Sequence, residues 1–331
     1  MKNIAVIVVN WNGKKYLKDC FDSLQNQTYK NFKVFFVDNG SEDDSVDFIK
    51  EKYLETNLPS VDIFQLKKNT GFCFGYNTGI KKALEDEDTK YVVVLNNDTK
   101  LDEKYIEELR SCAERHPEAG SIQPKVLKYF EKNKVDCAGI RIARDGTAHN
   151  RGYSKDEKEY KEEKEIFGAN GTASLFTRRA LEKTALPGHN YFDNDHFVFY
   201  EDVDLAWRMK NAGFKTYFCP DALAYHVHSG TAGKASLMKA YYLHRNYFFT
   251  VFKNYPCGKL AKTLFWRFLS YLRLVANVFG KKKRETEFVK GQSKIKVVLV
   301  ILKAWGSVVW NLPSLAKKRK FIRRNIHEIQ A

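Results

Sequence analysis

The sequence predicts an α/β fold, a mixed and mostly parallel sheet flanked by helices, followed by a basic helical extension. Two observations predict the sheet. Apolar runs too continuous for a strand with one wet face recur through the first hundred residues, and each stops at a cluster of Asn, Asp and Gly. Helical patterns lie between them, and strand and helix alternate at roughly 30-residue spacing, the signature of βαβ units. A third observation predicts the extension. Residues 251–331 carry 19 Lys and Arg against 3 Asp and Glu, whereas residues 1–250 carry 37 of each sign. The whole net charge of +16 therefore sits in the last quarter of the 331 residues.

Taken in order, Ile4-Ala5-Val6-Ile7-Val8-Val9 is the first strand and ends at Asn10-Trp11-Asn12-Gly13. Leu17, Cys20, Phe21 and Leu24 then recur at helical spacing. Val34-Phe35-Phe36-Val37 is the second strand and stops at Asp38-Asn39-Gly40-Ser41, where Ser41 with Asp44 reads as a helix start. Val61-Asp62-Ile63-Phe64 reads as a third strand. After another short helix comes Tyr91-Val92-Val93-Val94-Leu95, which runs into Asn96-Asn97-Asp98. Nothing inside that run is polar, so any chemistry begins where it stops. Ligands of open α/β sheets bind beyond the carboxyl ends of the strands, which makes Asn10, Asp38, Asn97 and Asp98 candidates. The alternative is a set of polar turns that only cap strands.

The middle of the chain, from about Lys132 to Glu165, is polar and irregular, and Lys155 to Glu165 reads as a solvated run. Small residues return in Phe167–Phe176 and allow close backbone approach. Glu201-Asp202-Val203-Asp204 opens a helix, Leu205 to Asn211, closed by Gly213. Two short strand-like pieces follow, 215–219 and 222–226. There is no GxGxxG after the first strand and no GxxxxGK[ST], so dinucleotide and P-loop sites are excluded. The six cysteines show no CxxC pairing and no metal-ligand spacing, which suggests reduced cytosolic thiols. The chain enters its first strand without a signal-peptide pattern. A carboxylate past the second strand is placed to meet a base or ribose. One past a central strand is a hard oxygen ligand suited to Mg2+ or Mn2+.

Val9-Asn10-Trp11-Asn12-Gly13, Val37-Asp38-Asn39-Gly40-Ser41 and Asn96-Asn97-Asp98 resemble the nucleotide-sugar half of family 2 inverting glycosyltransferases of the GT-A fold. Asn69-Thr70-Gly71-Phe72-Cys73-Phe74-Gly75-Tyr76-Asn77-Thr78-Gly79 is similar to the rhamnosyltransferase-like branch. Glu201-Asp202-Val203-Asp204, His226 and Tyr241–Asn246 complete the pattern over roughly residues 3–255. The resemblance implies that Asp38 reads the nucleobase or ribose, helped by Val9, Asn10 and Trp11. Asn69, Gly71, Asn77 and Asn97 would line the nucleotide-sugar pocket. Asp98 would hold the metal, and His226 would be a second metal or diphosphate contact, with His228 competing for that role. Arg245 would meet phosphate or form a surface salt bridge. Asp202 would be the general base, held ionised by the helix dipole, and Glu201 would orient acceptor or sugar. Asp204 is the best N-cap candidate. Two departures stand out: Asn96 replaces the first carboxylate of the usual Asp-x-Asp, and Cys73 is expected to line the pocket rather than act as a nucleophile.

The expected organisation is a catalytic domain over residues 1–255 and a basic amphipathic extension over 256–331. Leu264 to Phe279 is apolar with one polar stripe of Arg267, Ser270, Arg273 and Asn277. Lys281–Arg284 follows. Val297 to Leu315 is near spanning length, but Lys303 and Pro313 argue against a simple span. Apolar face and basic clusters suggest an interfacial anchor on an anionic membrane, with packing on the catalytic body or an oligomer contact left open. The expected activity is transfer of a sugar, L-rhamnose being one candidate, from a nucleotide-diphosphate donor to a lipid-linked or polysaccharide acceptor at the inner face of the cell membrane. The alternatives are a nucleotidyltransferase of similar fold or a nucleic-acid binder using the tail. The first lacks its Gly-rich basic loop. The second lacks spaced aromatics, so no nucleic-acid partner is expected.

Overall fold

A computed structural model describes residues 3–56, 58–227, 236–279 and 294–326. Its core is one sheet in which eight strands run in the order β10-β12-β6-β11-β4-β1-β2-β3. The first half is parallel: β1 (Ile4–Asn10) lies between β2 (Phe32–Asp38) and β4 (Tyr91–Asn96), and β3 (Val61–Gln65) pairs with β2. Helices α1 (Lys14–Gln25), α2 (Ser45–Tyr53) and α3 (Phe72–Ala83) make the crossovers. Both faces are covered, which is why Val92, Val93, Val94 and Leu95 are all fully buried. Chain order reverses between β1 and β4, and a ligand crevice opens at such a switch point.

The second half of the sheet mixes directions. Strand β11 (Ala173–Thr177) runs antiparallel to both β4 and β6 (Ala119–Lys128). The two expected pieces at 215–219 and 222–226 are one strand, β12 (Lys215–His226), with a bulge after Cys219. It pairs in parallel with β6, and antiparallel with β5 (Thr99–Leu101) and β10 (Lys164–Ile166). Strand β7 (Val135–Cys137) pairs with β6, and β8 (Ile140–Ile142) with β9 (Ala148–Asn150) form a separate ribbon. Helix α4 (Tyr105–Arg115) packs on β6 and β12. Helix α2 starts at Ser45 rather than at Ser41, because the Ser41 hydroxyl is committed to Asn10 and Asn12.

Helices α5 (Arg178–Thr184), α6 (Glu201–Asn211) and α7 (Leu237–Asn254) meet around a buried charge cluster. Lys253 on α7 pairs with Asp193 and with Asp204, the latter at 2.8 Å. Asp204 also accepts from Arg208 Nε at 3.0 Å and from Asn254 at 2.8 Å. Arg208, fully buried, donates its remaining arms to the carbonyls of Thr184 and Tyr191. Asp204 is therefore not the helix cap. It points into the core, and Tyr200 precedes the helix in a left-handed conformation (φ 67°). Two C-terminal helices follow, α8 (Cys257–Phe279) and α9 (Lys294–Asn325), and α9 packs along α7. From α9, Lys318 reaches Asp193 and Asp195, while Ile322 and Ile326 pack with Leu186 and Ala212. The Lys281–Arg284 cluster lies outside the described residues.

His196 belongs to this cluster, fully buried, with Nε2 3.1 Å from Thr250 Oγ1. Burial, helped by the Lys253 charge, pushes its pKa down to about 3. The unfolded chain binds this proton below about pH 6.5 and the folded chain does not, so its contribution to stability is lost as pH falls from about 6.5 towards about 3. Compared with His196→Gln, the wild type should lose about 1.4 kcal/mol of stability per pH unit across that window. Urea unfolding at a series of pH values measures the difference, and parallel curves for the two proteins would refute it.

Candidate active site

The polar ends of β1, β2 and β4 interlock. Asn10 Oδ1 accepts from Asn97 Nδ2 at 2.6 Å, and Asn10 Nδ2 reaches Asp38 Oδ1 at 3.3 Å and Ser41 Oγ at 3.1 Å. The other Asp38 oxygen accepts from the Ser41 N–H at 3.0 Å. One amide thus ties three strands together at the switch point. Gly13 makes room for it, since a Cβ there would sit 2.0 Å from Asn97 Nδ2. Beside this knot, Asn39 accepts from the N–H and hydroxyl of Thr70 and donates to Asn69 and the Gly71 carbonyl. Gly71 has φ +85°, and a Cβ on it would meet Phe197 at 2.4 Å.

These ends open onto a cleft of about 720 Å³. Val9, Trp11, Asn69, Gly71, Asn97, Asp98, Glu201, Asp202 and His226 all line it. Five residues expected in the site stand elsewhere. Asn10 and Asp38 are buried behind the lining. Asn77 spends its amide on Phe192 N and O and on Asn194. Arg245 donates to the carbonyls of Asp195 and His196 and lies over Tyr242 and Phe249. Cys73 is likewise a core residue under α3 and does not line the cleft, and burial pushes its thiol pKa up. His228 lies outside the described residues. A smaller hollow, about 590 Å³ at the amino ends of the parallel strands, carries none of these groups.

Within the cleft, the β5–β12 pairing sets His226 opposite Thr99 and so beside Asp98. Asp98 Oδ1 lies 3.2 Å from His226 Nε2, and Asp136 Oδ2 lies 2.9 Å from His226 Nδ1. Burial opposes a charge on His226, but the carboxylates of Asp98 and Asp136 outweigh it and lift its pKa to about 10. Once a cation displaces the Nε2 proton, the Asp98 carboxylate and the His226 imidazole would suit a divalent ion. An octahedral ion holding ligands at about 2.1 Å keeps neighbouring ligands about 3 Å apart, close to this pair's spacing. Asp136 then orients the imidazole from behind, as carboxylates do in metal sites.

Glu201 and Asp202 begin α6. Asp202 Oδ2 accepts from the Gly171 N–H at 3.1 Å and from Asn170 Nδ2 at 3.2 Å, and its Oδ1 accepts from Val203 N at 2.8 Å. Burial raises the Asp202 pKa from its ordinary value, although these N–H bonds oppose the shift. The helix dipole therefore does not hold it low. Burial, and then the neighbouring Asp202, push Glu201 much higher. Glu201 Oε2 has no hydrogen-bond partner among the described residues. The approach to these carboxylates is strained, since Phe197, Phe199 and Tyr200 all have positive φ. Asn246 holds the turn by donating 2.8 Å bonds to the carbonyls of His196, Val198 and Phe199.

The model of glycosyl transferase family 2 matches residues 5–185. The chain belongs to glycosyltransferase family 2. Its fold is GT-A. Staphylococcus aureus TarS, residues 1–349, superposes with a TM-score of 0.55 at 16% identity, over 98% of this chain and 89% of that one. GalNAc-T7 crystallised with UDP, GalNAc and Mn2+ gives 0.61 at 12% identity, over 94% and 57%. Among curated sequences, glycosyltransferase GlyA of Streptococcus pneumoniae is 35% identical over 32% of this chain and 14% of its own length. A poly-β-1,6-N-acetyl-D-glucosamine synthase of Staphylococcus epidermidis is 23% identical over 70% and 52%. The family 2 chain thus spans about half of one relative and a small part of another. An N-acetylglucosaminyl-diphospho-decaprenol L-rhamnosyltransferase of Mycobacterium tuberculosis is 22% identical over 70% of this chain and 78% of its own length.

The Asn10 knot generates a test of the site's framework. Asn10→Leu strands the Asn97 amide and leaves the buried Asp38 carboxylate without one of its donors. It should cost about 1–3 kcal/mol of stability, read from urea midpoints, and a change below about 0.5 kcal/mol would show that the amide is dispensable.

Proposed function

We propose that the cleft binds a nucleotide-diphospho-sugar and transfers its sugar, with inversion, to a glycan or lipid-linked acceptor in cell-surface glycan synthesis. The observation that carries this reading is that Asp98 with His226, and Asp202 lodged on the Gly171 N–H, share one cleft at the switch point of the sheet. Val9, Trp11, Asn69, Gly71 and Asn97 receive the nucleotide, with Asp38 and Asn10 holding that wall in register. Asp98 and His226 would hold a divalent cation, Mg2+ or Mn2+. When bound, the cation neutralises charge on the donor diphosphate. GT-A structures solved with Mn2+ support this assignment. L-rhamnose is the first donor to try, since the M. tuberculosis relative is an L-rhamnosyltransferase.

Inversion is a single displacement. The acceptor oxygen bonds to the anomeric carbon as the carbon–diphosphate bond breaks, and Asp202 takes the hydroxyl proton. A base with a pKa raised by burial suits that step at neutral pH. Glu201, still less willing to ionise, orients acceptor or sugar as a hydrogen-bond donor. Asp202→Asn keeps the shape and should lower kcat by about 10²–10⁴-fold while KM for the donor changes little. Asp98→Ala should abolish the metal-stimulated part of turnover. Wild type that is fully active in chelator would reject the metal, and NMR of a product with retained anomeric configuration would reject the mechanism.

The chain acts at an anionic membrane surface. Phe265, Phe268, Leu299, Leu302, Val309 and Trp310 are exposed large apolar side chains on α8 and α9. The stretch Lys296–Asn325 is long and apolar enough to cross a membrane, with little of it buried in the protein. Its basic end packs on the charge cluster, which favours lying in the interface over spanning. Leu302→Glu with Trp310→Glu should abolish sedimentation with vesicles containing anionic lipid and leave turnover of a soluble acceptor analogue intact. Unchanged sedimentation would place the contact elsewhere.

A further inference from the structure

On the face of the sheet covered by α4, four metal-ligating side chains converge. Cys112 lies in the last turn of α4 and His116 is its C-cap, tied back by the His116 N–H to the Cys112 carbonyl at 3.2 Å. Glu163 arrives from the segment before β10, and the ligand atoms of these three residues lie within 4.8 Å of one another. A fourth group is beside them. The Cys219 thiol is close enough to the Cys112 thiol for each to perturb the other, donates to the Glu108 carbonyl at 3.7 Å, and is buried like Cys112. Tetrahedral zinc, with Zn–S of about 2.3 Å and Zn–N of about 2.0 Å, needs ligand separations of about 3.3–3.8 Å. Cys112, His116 and Glu163 stand near those separations, and Cys219 would complete the set by turning its thiol from the Glu108 carbonyl, 3.7 Å away.

The surroundings of each ligand are those a metal site requires. The β12 bulge displaces Pro220–Ala222 and turns the N–H groups of Asp221 and Ala222 onto the Cys219 sulfur. Glu118 lies 3.8 Å from His116 Nδ1 and accepts from the Tyr217 hydroxyl at 2.6 Å, while Tyr217 stacks on the imidazole at 3.6 Å. That leaves His116 Nε2 aimed at Glu163 Oε1, 2.6 Å away. Arg115 holds the other Glu163 oxygen. Stacking on Tyr217 orients the imidazole, and the Arg115 bond orients the Glu163 carboxylate, as outer groups do around metal ligands. The charges also close: two thiolates and a carboxylate are cancelled by one divalent ion and Arg115.

We propose that Cys112, His116, Glu163 and Cys219 form a structural site for a thiophilic divalent cation, zinc, which staples α4 and the segment before β10 to the bulge of β12. The site is remote in kind from the cleft, where no cysteine lines the wall. The test uses the full chain purified under reducing conditions. Zinc is counted by mass spectrometry before and after a thiol-blocking mercurial, and the cobalt-loaded protein is examined by absorption. Zinc should be retained in stoichiometric amount and released by the mercurial. Cobalt should show thiolate charge transfer and the intense visible bands of four-coordination. Cys112→Ser with Cys219→Ser should lose both signals, and Asp98→Ala should keep both. Reduced wild type that retains no zinc and shows no thiolate–cobalt band overturns the proposal whether or not the double variant folds. So does a Cys112–Cys219 disulfide persisting in that preparation, or zinc unchanged in the double variant.

Discussion

The arrangement of the cleft depends on the buried charges around Asp193, Asp204 and Lys253. Burying three charges is costly unless each is paired and its remaining lone pairs and protons are satisfied. Here Arg208, Asn254 and Lys318 complete the set, and they come from α6, α7 and α9. Three helices that share no backbone hydrogen bonds are thereby fixed to one another. The loop from Asp193 to Tyr200 hangs from that cluster and from Asn246. Its left-handed residues persist because the surroundings over-determine them. The first turn of α6 inherits its position, and with it the two carboxylates.

The other wall of the cleft rests on amides rather than charges. Asn10 and Asn39 each use both ends of a short planar side chain to join strand ends that would otherwise carry unpaired polar groups, and Asn97 adds its Nδ2 to the Asn10 knot. Asn can donate and accept at once, which Asp cannot when ionised. In this chain the remaining carboxylate, Asp98, faces an imidazole backed by Asp136, so the charge that Asn96 lacks is supplied from β7.

Much of this was legible in the residues. The strands could be read because apolar runs broke sharply, and Asp98, His226, Asp202 and Trp11 do face one cleft. The misplacements on helices share a cause. A helix turns about 100° per residue, so neighbours of a site residue point elsewhere. Tyr76 lines the cleft and Asn77 faces the loop behind; Leu243 lines it and Arg245 does not; Asp202 enters it and Asp204 points to the core. A motif locates a stretch and does not orient each side chain in it. Asp136 gave no local signal, and the small-residue stretch holding Asn170 and Gly171 announced a close approach without naming Asp202 as its partner, because both relations exist only through strand pairing and a bend far along the chain. The cluster of Cys112 and His116 with Glu163 and Cys219 was hidden for the same reason, although the one-turn spacing on α4 was visible.

The antiparallel insertion of β11 between β4 and β6 bears on how the chain is assembled. Synthesis delivers β1 to β4 first, and these strands can pair through local crossovers as they emerge. Strand β4 then presents an open, wholly apolar edge until β11 arrives some eighty residues later. Until then β6 has no neighbour that links it to the first half. The nascent protein therefore passes through a stage with half a sheet formed and a sticky border exposed, the kind of species that aggregates or engages a chaperone. Closure of that seam by β11, a distant pairing, should set the pace of folding.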